Sequence, residues 1–477
     1  MTASVTTAAH PRSLARRLLP LQIGVGFQGM MLWVPVEKLF MTQIGFDAAA
    51  VGVMAAAYAA VVPLLEVPSG ILADRWSRSW VLVLSSIALM ASSLLGGLSH
   101  GVVTYVIAAM ILGAYFALNS GTLDSVVYDT VVEETGSSEL YETWIGRIRA
   151  VESAALVISA LAGGLLAQLT SPRLTYFATV PLVALAVVGF LRFDEPQLHK
   201  SAEPERLRSH VALTFRTMTR DRDVLRVLLL AAVAAMAAQA VFEFGPLWLV
   251  ALAAPAVLYG PYWAALVSTL GVGGLVTSRL HLERRLIVGL VVVVPLGAAL
   301  LLVWSQSLTV VIAAQVVVAL ALAIIGIHSS RLLHDAVPSA IRAGVSSGAG
   351  TMSWMLFLPF SLVFGWLARK QGINWSGLML VGALALVGLL LILSIRRVHI
   401  ALPGAEPAGV PALPRELACR QLVELVADYI DGTLPVEVKA ELENHLAGCD
   451  GCTEYLSQIE RTIAALSRLE PTKERPR

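Results

Sequence analysis

A chain of 477 residues that is 57% hydrophobic and 14% charged departs from soluble domains, which carry roughly a quarter charged residues. Its bulk is therefore built for a bilayer. The formal net charge of +1 offers no electrostatic footprint for nucleic acid, so no direct nucleic-acid binding is expected.

The N-terminal stretch HPRSLARRLLPLQIGVGFQGMMLW begins basic and turns apolar, as a signal peptide does. Gln22 and Gln28 interrupt it, no small-residue cleavage site follows, and the apolar sequence runs on, so it reads as a first transmembrane helix. A spanning helix needs about 20 apolar residues. Such runs recur about a dozen times: six within 1–192 and six within 224–397, joined by a charged loop at 193–223. The fold class expected is therefore all-α, two six-helix membrane bundles. The eighth run is rich in Gly and Tyr and is the least regular.

Lysine and arginine accumulate on the cytoplasmic side of membrane proteins. One set of loops holds Arg16, Arg17, Arg75, Arg78, Arg147, Arg149, Arg284, Arg285 and Arg396, together with the basic residues of the central loop. The alternate loops hold little beyond Lys38, Arg173, Arg369 and Lys370. Both termini are thus expected in the cytoplasm, in a multi-pass protein of the cytoplasmic membrane. The halves also read as parallel repeats at nearly one offset. GILADR (Gly70) recurs as GLVTSR (Gly274), YDTV (Asp129) as HDAV (Asp335), and Glu37 pairs with Glu243.

The most specific membrane motif is EVPSGILADRWSR, residues 66–78. Gly70 lets helices approach closely. Asp74, Arg75 and Arg78 then cluster at the membrane surface, where ionisable groups are costly unless paired. Together with SGTLDSVVYD in the fourth span and VPSAIRAGVSS before the eleventh, this stretch resembles the major facilitator superfamily of secondary transporters over about residues 15–397. The resemblance implies two bundles rocking about a central site. In that picture Arg78 pairs with Asp74 and Asp129 when the cytoplasmic face is shut. Ser77 stands where the family usually has glycine, and the second copy has Ser278 in place of an acid.

Polar groups within spans are the candidates for a substrate or proton site: Gln28, Asn119, Asp124, Glu152, Gln239, Glu243 and His328. A buried acid such as Asp124 either carries a proton through a raised pKa or serves as a structural tie to Arg149. No Walker-type loop occurs, which leaves no reason to expect ATP-driven transport or an enzyme.

Beyond a proline-spaced linker at 398–414 the chain becomes polar, and all three cysteines (Cys419, Cys449, Cys452) lie here. Two short helices are expected, separated by the turn DGTLP. His445 and Cys449 are one helical turn apart, Cys452 follows closely, and a hairpin would bring Cys419 to them. That is a Cys₃His set for Zn²⁺, in a domain at 415–477 small enough to need a metal. The stretch around YIDGTL and HLAGCDGC closely resembles the zinc-finger domain of anti-sigma factors. The resemblance implies a sigma factor as partner. A third helix carrying Leu456, Ile459, Ile463 and Leu466 on one stripe either clamps that partner or packs on its own hairpin. Two functions are therefore carried forward: a transporter of a small-molecule substrate with a regulatory tail, and a membrane sensor that sequesters a sigma factor.

Overall fold

The computed structural model describes residues 11–196 and 222–398, apart from positions 76, 121, 138–139, 278–279, 281–283 and 338–341, and scattered positions between 426 and 461. The side chains of Asp74, Arg75 and Asp335 also lie outside the described set. Two compact units emerge, Met1–His399 and Ile400–Arg477.

Among its described residues the first unit is built of helices joined by short turns and loops, with no strand. In chain order its helices are α1 (Pro11–Gln28), α2 (Glu37–Gln43), α3 (Ala48–Arg75), α4 (Arg78–Leu98), α5 (Val102–Asn119), α6 (Thr122–Thr135), α7 (Tyr141–Leu169) and α8 (Pro172–Leu191). The second half holds α9 (Arg222–Phe244), α10 (Pro246–Ala251), α11 (Ala256–Thr277), α12 (Arg285–Trp304), α13 (Leu308–Asp335), α14 (Arg342–Gln371) and α15 (Ile373–Val398). Eleven stretches among the described residues are long and apolar enough to cross a membrane, α5–α6 and α9–α10 each counting as one. The irregular eighth run is one of them, as α11.

The expected first span differs from the rest. Its N-terminal part is α1, which carries Arg12, Arg16 and Arg17, and the helix ends at Gln28. The chain then leaves the helix and resumes through a short 3₁₀ turn at Val34–Val36, with Pro35 inside it, before α2 begins at Glu37. Too many charges at one end and a break at the other keep it from forming a single apolar helix. A consequence is that Lys38, expected in an outer loop, lies instead within α2 and is 2% exposed.

Serine caps set two helix starts where the chain turns at the membrane surface. Ser77 accepts a bond from Trp80 N at the start of α4, and Ser171 accepts one from Leu174 N at the start of α8; such caps satisfy backbone donors that have no helical partner. Proline occurs inside α1, α3, α8, α11, α12 and α14, as membrane helices tolerate when neighbours re-satisfy the freed backbone groups. Large apolar side chains such as Leu64, Leu169, Leu275 and Leu286 remain exposed, which suits a surface facing lipid.

Within the first half α3 and α4 pack on α5, and α8 packs on α1 and α4; within the second, α13 packs on α9 and α12, and α15 on α9 and α12. The halves meet through α3 on α14 and α7 on α11. The helix ends fall into two sets: one carries the connections near 75–78, 135–141 and 277–285, the first and last of them rich in arginine, and the other lies opposite. Near the opposite end the crossings are close enough to require glycine. A Cβ on Gly52 would lie 2.4 Å from Ser361 O on α14, and one on Gly164 would lie 2.7 Å from Gly260 N on α11. Such small residues let membrane helices pack backbone to backbone. Nearer the arginine-rich end, Gly146 on α7 and Gly271 and Gly274 on α11 would place a Cβ in open space. The close glycine crossing of α7 on α11 thus lies toward that opposite end.

The second unit is described at fewer positions. Val426, Leu442 and Cys452 form a small buried cluster, flanked by Tyr429, Ile430, Leu434, Leu446, Leu456 and Ile459. Leu456 and Ile459 of the expected third-helix stripe thus pack on their own hairpin; Ile463 and Leu466 lie outside the described residues.

Candidate functional site

The arginine-rich end is organised around the start of α4. Arg78 Nη1 meets Asp129 Oδ2 of α6 at 2.5 Å, with the side chains 14% and 17% exposed. Gly70, Asp74 and Arg75 lie in the last turns of α3, but the side chains of Asp74 and Arg75, and with them any contact of Asp74 to Arg78, fall outside the described residues. Glu195, just after α8, accepts from Arg78 N at 2.6 Å and from Ser77 Oγ. Serine at position 77 thus supplies a cap and a tie to the interhalf loop that glycine could not. Arg17 of α1 joins the same surface, with Nη2 2.8 Å from Glu133 and Nη1 2.7 Å from Glu134 at the end of α6. Neither Glu195 nor the Arg17 contacts was apparent in the sequence, because nothing local marks which loop acid reaches which helix start.

Of the seven candidate cavity residues His328 lies on α13, and the other six divide into separate groups. Gln28, 4% exposed, donates to Ser85 Oγ at 3.0 Å and Ser86 Oγ at 2.9 Å, tying α1 to α4 inside the first half. Asn119 ends α5 where the fourth span breaks before α6, and its buried Oδ1 has no hydrogen-bond partner among the described residues. Asp124 and Glu152 flank Arg149: Arg149 Nη2 is 3.0 Å from both Asp124 oxygens, and Nη1 is 2.9 Å from Glu152. The side chains of Arg149 and Asp124 are 47% and 42% exposed. Three charges with one negative in surplus thus face open space partway along the helices. Across the halves, Glu66 of α3 accepts from Thr351 Oγ1 at 2.9 Å and from Ser347 Oγ at 3.3 Å on α14.

The last pair, Gln239 and Glu243, belongs to a buried cluster that the sequence reading did not assemble. Lys38 Nζ lies 2.6 Å from Glu37 Oε2 and 2.5 Å from Glu243 Oε1. Tyr58 donates to Glu243 Oε2 at 2.7 Å and receives Gln239 Nε2 at 2.8 Å. Tyr105 donates to Glu37 Oε1 at 2.9 Å and shares a 2.6 Å bond with Tyr176. The matched offset of Glu37 and Glu243 was a signal that they share a place; Lys38, counted among loop cations, was the missed element.

In the tail, Cys452 is 7% exposed. It packs with Val426 from the first helical stretch and Leu442 from the second, where a metal held through it would tie both. Cys419, His445 and Cys449 lie outside the described residues, and no metal-ligand group is formed among those described.

The geometry can be set beside known proteins. The sequence profile of the Major Facilitator Superfamily matches residues 18–356, and one described as "Putative zinc-finger" matches residues 419–453. The chain is 24% identical over 186 residues to Multidrug resistance protein 1 of Bacillus subtilis (strain 168). That match spans 39% of this chain and 46% of the relative, so under half of the relative's length. Among solved structures, the nucleoside transporter NupG superposes with a TM-score of 0.66 at 15% identity, covering 79% of this chain and 99% of that one. A bacterial homolog of the human lysosomal transporter Spinster, in an inward-facing and unoccupied conformation, gives 0.64 at 16% identity, covering 81% and 98%. At these identities the likeness establishes the fold alone. The chain belongs to the Major Facilitator Superfamily, a family of membrane transporters rather than enzymes, and carries a zinc-finger-type domain after its membrane helices.

Proposed function

We propose that the protein is a secondary active transporter that moves a small solute across the cytoplasmic membrane by alternating access. Both termini and the arginine-rich end face the cytoplasm in this reading. The observation that carries it is the asymmetry of the seam between halves. Backbone-to-backbone crossings and a buried ion cluster join the halves toward one end, whereas Asp124 and Arg149 are exposed to open space toward the other. Two halves tied unequally at their two ends suit a rocking motion that exposes a site alternately.

Arg78 and Asp129, with Gly70, Asp74 and Arg75, form the conformational gate at the cytoplasmic surface. Solute or proton is taken by groups drawn from Gln28, Asn119, Asp124, Glu152, Gln239 and Glu243. Among these, the surplus carboxylate beside Arg149 and the unsatisfied Asn119 Oδ1 are the best supported, since each has capacity left for a ligand. The experiment is counterflow of a panel of labelled solutes into proteoliposomes with and without a pH gradient. Saturable uptake of one solute supports the reading; absence of exchange for every solute, with the protein correctly inserted, opposes it.

The tail holds Zn²⁺ through Cys419, His445, Cys449 and Cys452, a donor set with four ligands and no open position for chemistry. The metal would supply the folding energy of the small domain, and the burial of Cys452 in its core fits that role. A regulatory reading, in which the tail sequesters a sigma factor and the bundle controls its release, is favoured by the profile match at 419–453. Leu456 and Ile459 are already used inside the domain, which leaves less of the stripe for a clamp. Co-purification of a sigma factor with the full chain, lost on chelation, supports this second reading.

A further inference from the structure

We propose that Lys38 is a latch between the two halves, holding the end away from the arginine-rich loops closed through Glu243. This inference rests on the alternating-access reading and adds to it the residue that must let go. Lys38 belongs to α2 in the first half and Glu243 to α9 in the second, and both are buried, at 2% and 8% exposure. Glu243 is clasped twice from the other half, by Lys38 Nζ on one oxygen and by Tyr58 OH on the other. Gln239, from the second half, returns a bond to Tyr58. Four side chains thus make three bonds across the seam.

The charges explain why this is a latch and not a packing tie. Lys38 is already neutralised by Glu37 at 2.6 Å, within its own helix, and Glu37 is held by Tyr105, also of the first half. The first half therefore loses nothing essential when the halves part: the Glu37–Lys38 pair stays whole. Glu243 is the side that pays, because it loses both of its charge-stabilising donors together. A carboxylate stripped of its partners in an apolar interior is strongly disfavoured, so the seam opens only as water reaches Glu243. Opening of this end and hydration of one carboxylate become the same event.

The test needs no substrate, so its failure is separate from failure of the transport reading. A reporter cysteine replaces Ala55, fully buried on α3 one turn from the Gly52 crossing. Its labelling by a membrane-impermeant maleimide is timed from outside intact cells. Labelling should be slow in the otherwise unaltered chain. Lys38→Met or Glu243→Gln should speed it by about thirtyfold, equivalent to about 2 kcal/mol at 1.4 kcal/mol per decade. The charge exchange Lys38→Glu with Glu243→Lys should bring the rate back toward that of the unaltered chain, which loss of packing alone would not do. Tyr58→Phe, which removes one clasp and keeps the ring, should give a smaller increase and serves if the charge variants fail to reach the membrane. Unchanged labelling in the variants that insert, or a charge exchange as reactive as the single variants, overturns the proposal.

Discussion

Replacing Arg78 with alanine separates two roles that converge on the start of α4. The guanidinium forms the ion pair with Asp129, whereas the backbone N–H of residue 78 donates to Glu195 and Ser77 caps the helix. Arg78→Ala therefore removes the ion pair and leaves the cap in place. Breaking a fully buried pair costs about 3–5 kcal/mol because a charge is left without its partner. Here both side chains keep roughly one-sixth of their exposure, so Asp129 regains some water and the cost falls to about 2–3 kcal/mol. A penalty of that size shifts a two-state gate by about 30- to 140-fold. The assay is initial uptake rate in proteoliposomes, with thermal unfolding of the purified protein measured in parallel. Uptake should fall at least tenfold while the protein still inserts. Ser77→Ala is the counterpart: it should cost about 1 kcal/mol of stability through the lost cap and leave the ion pair made. Arg78→Ala with unaltered uptake and an unaltered unfolding temperature would rule out a gate role for the Arg78–Asp129 pair.

Asp124→Asn should abolish dependence of uptake on a pH gradient while solute binding survives. Because the Asp124–Arg149 pair is nearly half exposed, its loss should change stability by only about 0–1 kcal/mol, so unchanged coupling would return Asp124 to the role of a tie. Gly164→Val should block cycling, since its Cβ would fall 2.7 Å from the backbone N of Gly260 and backbone cannot yield as a side chain can; overpacking of this kind costs about 1–3 kcal/mol or more. Uptake equal to that of the unaltered chain would contradict the close crossing. Chelation should melt residues 415–477 and spare the bundle's helical signal, because structural zinc contributes about 10–16 kcal/mol of apparent binding free energy in small domains. Cys449→Ser should act likewise, and a tail equally helical with and without metal would remove the zinc reading.

The sequence made the architecture legible because membrane spans announce themselves one at a time: about 20 apolar residues are a local signal, and arginine placement sorts the loops. The 66–78 motif stood out for the same reason, since Gly70, Asp74, Arg75 and Arg78 are close in the chain, and of its expected contacts the described residues include Arg78 with Asp129. Contacts between distant segments were not. Lys38 sits at the end of an apolar run, the position of an ordinary loop cation, and only the break after Gln28 and the approach of α9 turn it inward between two glutamates. Glu195 is one acid among several in a charged loop, and its choice of the α4 start depends on where α8 ends. The Asp124–Arg149 pairing could be anticipated from neighbouring helices, but its exposure could not, because exposure is set by how segments distant in the chain pack.

In the proposed alternating-access cycle the two halves move against each other about closed and open ends. Pulsed electron–electron distance measurement tests it directly on the full chain with its three tail cysteines replaced by serine. One pair of spin labels replaces Asp47 and Arg369, which face each other at 3.2 Å across the end away from the arginine-rich loops. A second pair replaces Gly146 and Gly274 on α7 and α11 at the arginine-rich end. Two distance populations are expected at each end, with the long distance at one end accompanying the short distance at the other, and a shift of both populations when Lys38 is replaced by Met. A single fixed distance at both ends, unmoved by that replacement, would contradict it.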